Sequence, residues 1–174
     1  MSDAERLVRE ALARLGVEHE VIEIDPAYAD TAAFCERYGY PAERSANTIL
    51  VASKKEPKRY AACVVLATTQ LDVNHRVRDL LEVSRASFAG PDEMKSVLGM
   101  EVGGVTPFGL PAGMPLFVDA RVGACEWIIL GGGGRRAKIK IAPGVFELLG
   151  GQMVESLALE RRQPPSLTKA SPLS

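Results

Sequence analysis

The sequence predicts a single-domain protein of the α/β (α+β) class, with a mixed, curled sheet of about six to seven strands surrounded by helices. Short β-branched segments of strand length alternate along the chain with amphipathic segments of helical spacing. Neighbouring strand segments are joined by short turns, which favours hairpin pairs over a doubly wound parallel sheet. The length of 174 residues corresponds to about one domain.

The chain is expected to begin with a helix. Ser2 and Glu5 have the spacing of a capping box, apolar residues follow at helical spacing, and Gly16 provides the stop. A strand is expected over 17–24. A short helix should follow near 30–39, beginning at residue 30 or 31.

The middle of the chain contains two short apolar runs, 48–52 and 61–67, which predict buried strands joined by a charged turn. Asp72 is a candidate cap for a helix that follows it. A second helix is expected over 91–99, because proline suits the first helical position, acidic residues follow it, and a glycine ends the segment.

Three strands are predicted in the second half, at 116–118, 127–130 and 137–141. The last of these alternates strictly between apolar and lysine residues, which is typical of a half-buried strand. The glycine-rich segment 131–136 between the second and third strands reads as a hairpin connection, although four consecutive glycines indicate that something approaches the backbone there.

The C-terminal part is expected to contain a helix over 143–149 and a final strand over 152–159. The polar, Pro- and Ser-bearing segment that follows has no pattern of secondary structure. We therefore expect a domain over 1–160 and a loose tail over 161–174.

The formal net charge of −1 gives no global positive excess for binding nucleic acid. Two local basic clusters remain, each of which is open to interpretation as a solvated face: Lys54, Lys55, Lys58 and Arg59, and Arg135, Arg136, Lys138 and Lys140. No apolar run approaches the roughly 20 residues of a membrane span, so we expect a cytoplasmic protein.

Cysteine and histidine residues are too few and too scattered to predict a metal site. The three cysteines form no Cys-x-x-Cys pair, and the two histidines are isolated. Cys63 lies in an apolar run and is expected to be inert core. We predict neither a metal nor a cofactor, although partners that meet only in the fold leave Cys–His chemistry open.

The strongest candidate for a functional segment is the loop Gly103–Gly109, which contains three glycines, a threonine and a proline in seven residues. Glycines let a backbone direct its N–H groups towards one point, so such a loop can hold an anion or an oxyanion without a charged side chain. A plain glycine-rich connection is the alternative. Asp119 is a second candidate, with a hydrogen-bonded turn aspartate as its alternative.

Several segments in order resemble the YbaK/prolyl-tRNA synthetase-associated family of aminoacyl-tRNA editing domains. Ala46–Val51 is similar to the Ala-Lys-Thr-Leu-Val strand of that family, and Leu71–Val73 follows in the expected place. Gly103–Gly109 fits the Gly-x-x-x-Pro substrate loop, and Phe117–Asp119 and Gly131–Arg136 complete the set.

The resemblance implies a trans-acting deacylase that hydrolyses the ester of mischarged tRNA, most often tRNA for proline carrying a wrong small amino acid. Its partners would be the aminoacylated 3′ end of tRNA and, in addition, prolyl-tRNA synthetase. The loop residues expected to be catalytic are Gly103, Gly104, Val105, Thr106 and Pro107. Those expected to bind substrate are Asn47, Phe108, Gly109, Asp119, Gly132, Gly133 and Arg135. Those expected to contact tRNA are Lys54, Lys55, Lys58 and Arg136.

One position departs from the pattern of the family. Asn47 stands where the Ala-Lys-Thr strand has a lysine that is expected to touch the substrate. A hydrogen bond to a charged group contributes about 1.5–3 kcal/mol and a neutral one about 0.5–1.5, so the change predicts about a tenfold weaker interaction. Two alternatives therefore stay open: a binding module that does not hydrolyse, and a hydrolase of another small ester or aminoacyl-nucleotide.

Overall fold

The computed structural model describes residues 1–161 and confirms the predicted class, a mixed α/β fold. The expected tail over 161–174 lies outside these residues except for Arg161, and the expected boundary at residue 160 stays a prediction. The six α-helices of the described residues are α1 (Asp3–Leu15), α2 (Thr31–Tyr38), α3 (Arg78–Leu81), α4 (Pro91–Leu98), α5 (Ala120–Gly123) and α6 (Val145–Leu148).

Three helix boundaries, the start of α1 and the ends of α1 and α2, form as the sequence predicts. The hydroxyl of Ser2 accepts a hydrogen bond from the backbone N–H of Glu5, whose carboxylate accepts one from the backbone N–H of Ser2. Gly16 and Gly39 end α1 and α2 in the left-handed conformation that glycine adopts without strain. Asp72 is different, because it precedes a π-helical turn (Val73–Val77) and makes no capping hydrogen bond with its side chain.

The strands of the described residues are β1 (His19–Glu23), β2 (Ala46–Ser53), β3 (Tyr60–Leu66), β4 (Thr69–Leu71), β5 (Ala86–Phe88), β6 (Leu116–Asp119), β7 (Ile128–Gly131), β8 (Ala137–Ile141), β9 (Gln152–Val154) and β10 (Ala158–Glu160). The sequence pattern did not reveal β4 and β5, which have only three residues each. The strand expected over 152–159 is two strands, β9 and β10, separated by a turn.

The strands are distributed over three hydrogen-bonded sheets. A five-stranded sheet has the order β5-β2-β3-β6-β9, with β2 antiparallel to both neighbours and β3, β6 and β9 parallel. A three-stranded antiparallel sheet has the order β1-β8-β7, and β4 pairs with β10. An isolated bridge between Ser45 and Ile129 joins the start of β2 to β7.

The prediction that β8 is half-buried is wrong, because both faces of this strand are covered. Ile139 and Ile141 face the main core, which also contains residues of α1 and β7. The opposite face carries Lys138, which is only 5% exposed beneath Phe34 of α2. Lys138 is therefore buried and Lys140 is half-buried over Trp127, although their alternation with apolar residues is typical of a strand with one face in water.

The prediction for Cys63 is confirmed. The residue is fully buried in β3, and burial raises the pKa of its thiol to about 12. A thiol in this environment stays protonated near neutral pH and is a poor nucleophile.

Candidate functional site

A cavity of about 330 Å³ opens beside the Ser45–Ile129 bridge, where β2 and β7 meet. Its walls come from β2, β5, β7, the start of α2, α4, residues of the loop 102–105, and Lys138 of β8. This volume is at the lower end of the range for small-molecule sites, so it suits a small ligand.

Three consecutive carbonyl groups of the loop 102–105 are tied back by hydrogen bonds. The carbonyls of residues 102, 103 and 104 accept, in that order, from Arg135 Nη1 at 2.7 Å, Lys138 Nζ at 2.9 Å and the backbone N–H of Gly133 at 2.7 Å. Three donors on β8 and the turn before it thus fix the successive peptide planes of the loop.

This arrangement leaves two N–H groups of the loop available to a ligand. The N–H of Gly104 donates to the carbonyl of Glu101 at 2.9 Å and is therefore engaged. The N–H groups of Gly103 and Val105 have no hydrogen-bond acceptor among residues 1–161, and both residues line the cavity. Preorganised backbone donors of this kind can stabilise a developing negative oxygen.

Lys138 supplies a positive charge to the cavity wall. Its ammonium donates to the carbonyls of Ala29 at 2.6 Å and Gly103 at 2.9 Å and lies 5.6 Å from the centre of the Phe34 ring. Burial lowers the pKa of Lys138 to about 8, and the charge of Asp30 partly opposes this effect. The ammonium is therefore charged at pH 7 and loses its proton a little above neutral pH.

Arg135 holds the loop by hydrogen bonds and is not among the residues that line the cavity. Besides the carbonyl of Val102, its guanidinium contacts the carbonyl of Pro26 at 3.1 Å and the carboxylate of Asp30 at 3.2 Å. Gly103 leaves the room for this contact, since a Cβ atom at that residue would lie 2.5 Å from Arg135 Nη1. Arg135 thus connects the loop to the segment before α2.

The glycine turn before β8 is packed against other backbone segments, which confirms the expected close approach. A Cβ atom on Gly104 would lie 2.2 Å from the carbonyl oxygen of Gly134. One on Gly133 would lie 2.8 Å from the carbonyl oxygen of Ala4 in α1. One on Gly132 would lie 2.6 Å from the carbonyl oxygen of Ala137 in β8. The chain itself, through the loop and α1, occupies the space that these glycines leave.

Polar groups of β2 and α2 line the cavity on the side of position 47. The side-chain oxygen of Asn47 accepts a hydrogen bond from the hydroxyl of Thr31 at 2.6 Å. The hydroxyl of Thr48 is buried and has no hydrogen-bond partner within residues 1–161. All three residues line the cavity, so this wall offers neutral hydrogen-bonding groups to a ligand.

The second half of the predicted loop lies away from this cavity. Phe108 is fully buried in the main core, and Pro107 and Gly109 line a separate cavity next to α1. Thr106 is also fully buried, and its hydroxyl has no partner in the described part of the chain. The structure therefore brings only residues 102, 103 and 105 of the loop to the cavity wall.

Asp119 likewise does not line the cavity. Its carboxylate is 1% exposed and accepts hydrogen bonds from the backbone N–H groups of Arg121 at 3.0 Å and Ala158 at 2.9 Å. These contacts cap α5 and attach β10 to the end of β6. The geometry is that of a structural turn aspartate.

The basic residues predicted to contact tRNA are exposed. Lys54, Lys55 and Lys58 lie in the loop that joins β2 to β3, and Lys58 also approaches Glu93 of α4 at 3.8 Å. β2 continues from the cavity wall into this loop, which places a positive surface at the end of a strand that lines the cavity. Arg136 is exposed at the start of β8.

Sequence reasoning missed several residues of the cavity wall. Thr31 and Phe34 belong to a helix that the pattern predicted without a functional role, and Thr48 belongs to a predicted core strand. Lys138 was assigned to a basic cluster. The strand period indicated that Lys138 and Lys140 share a face, but it cannot tell which of them lies beneath α2.

No helix among residues 1–161 is long and apolar enough to cross a membrane. Within the same residues, no group of three or more histidine, cysteine and acidic side chains is arranged to hold a metal ion.

The loop and cavity lie within the segment that matches a known family. A family model described as an aminoacyl-tRNA editing domain matches residues 25–147. The chain belongs to this family. The match begins before α2 and ends in α6, so it includes β2, the loop 102–105 and Lys138.

Solved structures have the same fold at low sequence identity. A candidate trans-editing enzyme for prolyl tRNA synthetase is 21% identical, with a TM-score of 0.77 over 93% of this chain and 99% of its own. The hypothetical protein APE2540 is also 21% identical, with a TM-score of 0.77 over 85% of this chain and 97% of its own. A chain from work on epitope grafting onto scaffold proteins is 19% identical, with a TM-score of 0.77 over 93% of this chain and 100% of its own.

Proposed function

We propose that this editing domain is a trans-acting aminoacyl-tRNA deacylase. Its substrate would be a mischarged tRNA, in the first place tRNA for proline carrying a wrong small amino acid, met in the cytoplasm alongside prolyl-tRNA synthetase. Membership of the editing-domain family and the similarity in fold to a candidate trans-editing enzyme support the proposal. The observation that carries the mechanism is the tethering of three loop carbonyls, which leaves the N–H groups of Gly103 and Val105 at the cavity wall.

In the proposed reaction, water adds to the ester carbonyl of the aminoacyl group. The carbonyl oxygen becomes negative and accepts hydrogen bonds from the N–H groups of Gly103 and Val105. The bond between the carbonyl carbon and the ribose oxygen then breaks, and this oxygen takes up the proton that the water releases. The products are the free amino acid and uncharged tRNA.

A binding module that does not hydrolyse is the second candidate. Asn47 favours it, because the side chain at this position is neutral and its oxygen is already engaged by Thr31 at 2.6 Å. In this case the cavity would still hold the aminoacyl end of tRNA.

The deciding experiment is deacylation of tRNA for proline charged with alanine, cysteine, serine or threonine, with correctly charged prolyl-tRNA as control. We expect hydrolysis of at least one mischarged species and much slower hydrolysis of prolyl-tRNA. Retention of every ester, combined with measurable tRNA binding, would contradict the deacylase and favour the binding module.

A further inference from the structure

Lys138 is a buried cation that no carboxylate neutralises directly. Among residues 1–161 it forms no salt bridge, and its two hydrogen bonds go to the backbone carbonyls of Ala29 and Gly103. The carboxylate of Asp30, which acts on it electrostatically, is hydrogen-bonded to Arg135. Buried charges in proteins are usually paired, so an unpaired one inside a cavity indicates an anionic partner that arrives with the ligand.

The ammonium also retains one free donor. It carries three N–H groups, and two of them are used by the carbonyls. Lys138 is the one cationic side chain among the described residues that line the cavity. The free donor and the charge are therefore available to a ligand only at this point of the wall.

Resting on the proposed function, we propose that Lys138 is the substrate-binding cation of this site and holds a negative oxygen of the aminoacyl-tRNA end. It would bring from β8 the positive charge that the family resemblance expects at residue 47 of β2. Two groups of the substrate have this chemistry: the phosphate of the terminal nucleotide, and the carbonyl oxygen of the aminoacyl group, which carries a partial negative charge.

The charge of Lys138 gives the interaction a distinct pH dependence. The groups acting on its ammonium are Asp30 and Cys35, which favour the charged form, and Arg135, which together with burial favours the neutral one. With the pKa at about 8, the charged form predominates at pH 7 and is a minority at pH 9. A neutral amine keeps two N–H donors for the two carbonyls, so a rise in pH removes the charge without requiring release of the loop.

The test measures binding of a non-hydrolysable analogue, the 3′-amide of alanyl-adenosine 5′-monophosphate, by titration calorimetry at pH 7 and pH 9. We expect Lys138→Met to weaken binding by about tenfold to a hundredfold at pH 7, as for exchange of a charged hydrogen bond for none. Adding Asn47→Lys to this variant should restore most of the affinity. Lys140→Met is the matched control, because Lys140 lies on the same strand face over Trp127, outside the cavity lining, and should bind like wild type.

Between pH 7 and pH 9 the wild type should lose more affinity than Lys138→Arg, because arginine stays charged. The α-amino group of the analogue also titrates in this range, but it affects both proteins equally. Binding by Lys138→Met within twofold of wild type would overturn the proposal. The proposal would also be overturned if Lys138→Met lost affinity and neither Lys138→Arg nor the added Asn47→Lys bound the analogue more tightly. In that case Lys138 would act only by holding the carbonyl of Gly103.

The same analogue without its 5′-phosphate identifies the negative oxygen. An effect of Lys138→Met that disappears with this probe assigns the phosphate, and one that persists assigns the ester end. Because the measurement requires no hydrolysis, the two proposals fail separately. A wild type that binds through Lys138 but hydrolyses no tRNA contradicts only the deacylase, and an active enzyme unaffected by Lys138→Met contradicts only the role of Lys138.

Discussion

Gly103 combines three demands at one residue: a φ of +89°, a place on the cavity wall and a close approach to Arg135. Alanine at this position would be strained by about 1–3 kcal/mol, and its Cβ would displace the guanidinium that holds the carbonyl of Val102. We expect Gly103→Ala to lower the deacylation rate by roughly tenfold to a hundredfold. In other enzymes, complete removal of one oxyanion donor lowers kcat by about 10²–10³, whereas here the donor would be displaced and not removed. Single-turnover deacylation measures this.

Gly109→Ala is the matched control for the same experiment. Gly109 also has a positive φ, of +79°, but an added Cβ would meet no atom within 4 Å. Both variants carry the backbone strain of a positive φ and should lose stability in thermal unfolding, Gly103→Ala more because of its contact with Arg135, but only Gly103→Ala should lose activity. Equal activities would show that the backbone at Gly103 does not approach the ester.

At the scale of elements, the hairpin between β7 and β8 supports the loop 102–105 through contacts of backbone against backbone. A Cβ on Gly104 would lie 2.2 Å from the carbonyl oxygen of Gly134, where no side chain can move aside. We expect Gly104→Ala to reduce the free energy of unfolding by about 1–3 kcal/mol, as overpacking does in protein cores. Urea unfolding checks this.

A glycine in open space provides the comparison for that measurement. Gly144 has an ordinary helical conformation, with φ at −56°, and an added Cβ there would meet nothing within 4 Å. Gly144→Ala should leave the unfolding midpoint nearly unchanged. If both variants unfolded at the same urea concentration, the contact of the loop with the hairpin would not contribute measurably to stability.

At the scale of the whole molecule, a net charge of −1 means that attraction to tRNA must come from local surfaces. The exposed loop with Lys54, Lys55 and Lys58 follows directly from the strand that lines the cavity. We expect the triple alanine variant of these lysines to raise KM for mischarged tRNA. It should also reduce the slope of log(kcat/KM) against log[salt] by up to about 2–3, which is the loss of three phosphate contacts.

A second triple variant separates a local contact from the change in net charge. Arg6, Arg9 and Arg14 are exposed on α1, which does not line the cavity. Their replacement by alanine also removes three positive charges, so it changes the net charge by the same amount. This variant should keep the salt slope of the wild type. If both variants reduced the salt slope equally, the electrostatic field of the whole protein, and not the loop between β2 and β3, would attract tRNA.

Features that depend on neighbours in the chain were determined by the sequence alone. The capping box of α1, the stops at Gly16 and Gly39, and the pair formed by β2 and β3 follow from local hydrogen bonding and from the period of apolar residues. The glycine content of the loop 103–109 likewise marked a segment of which residues 103 and 105 line the cavity. These patterns predict well because caps and stops involve residues a few positions apart and the two strands are joined by a short loop.

Only the tertiary structure decided which residues meet at the cavity. It separated residues 103 and 105 from Phe108, which is core, and it assigned Asp119 to a turn. It also buried Lys138 beneath α2, more than 100 residues away in sequence, as its contact with Ala29 records. A repeat of two residues fixes the face of a strand to which a lysine belongs, but what covers that face depends on the packing of distant segments, which no local pattern contains.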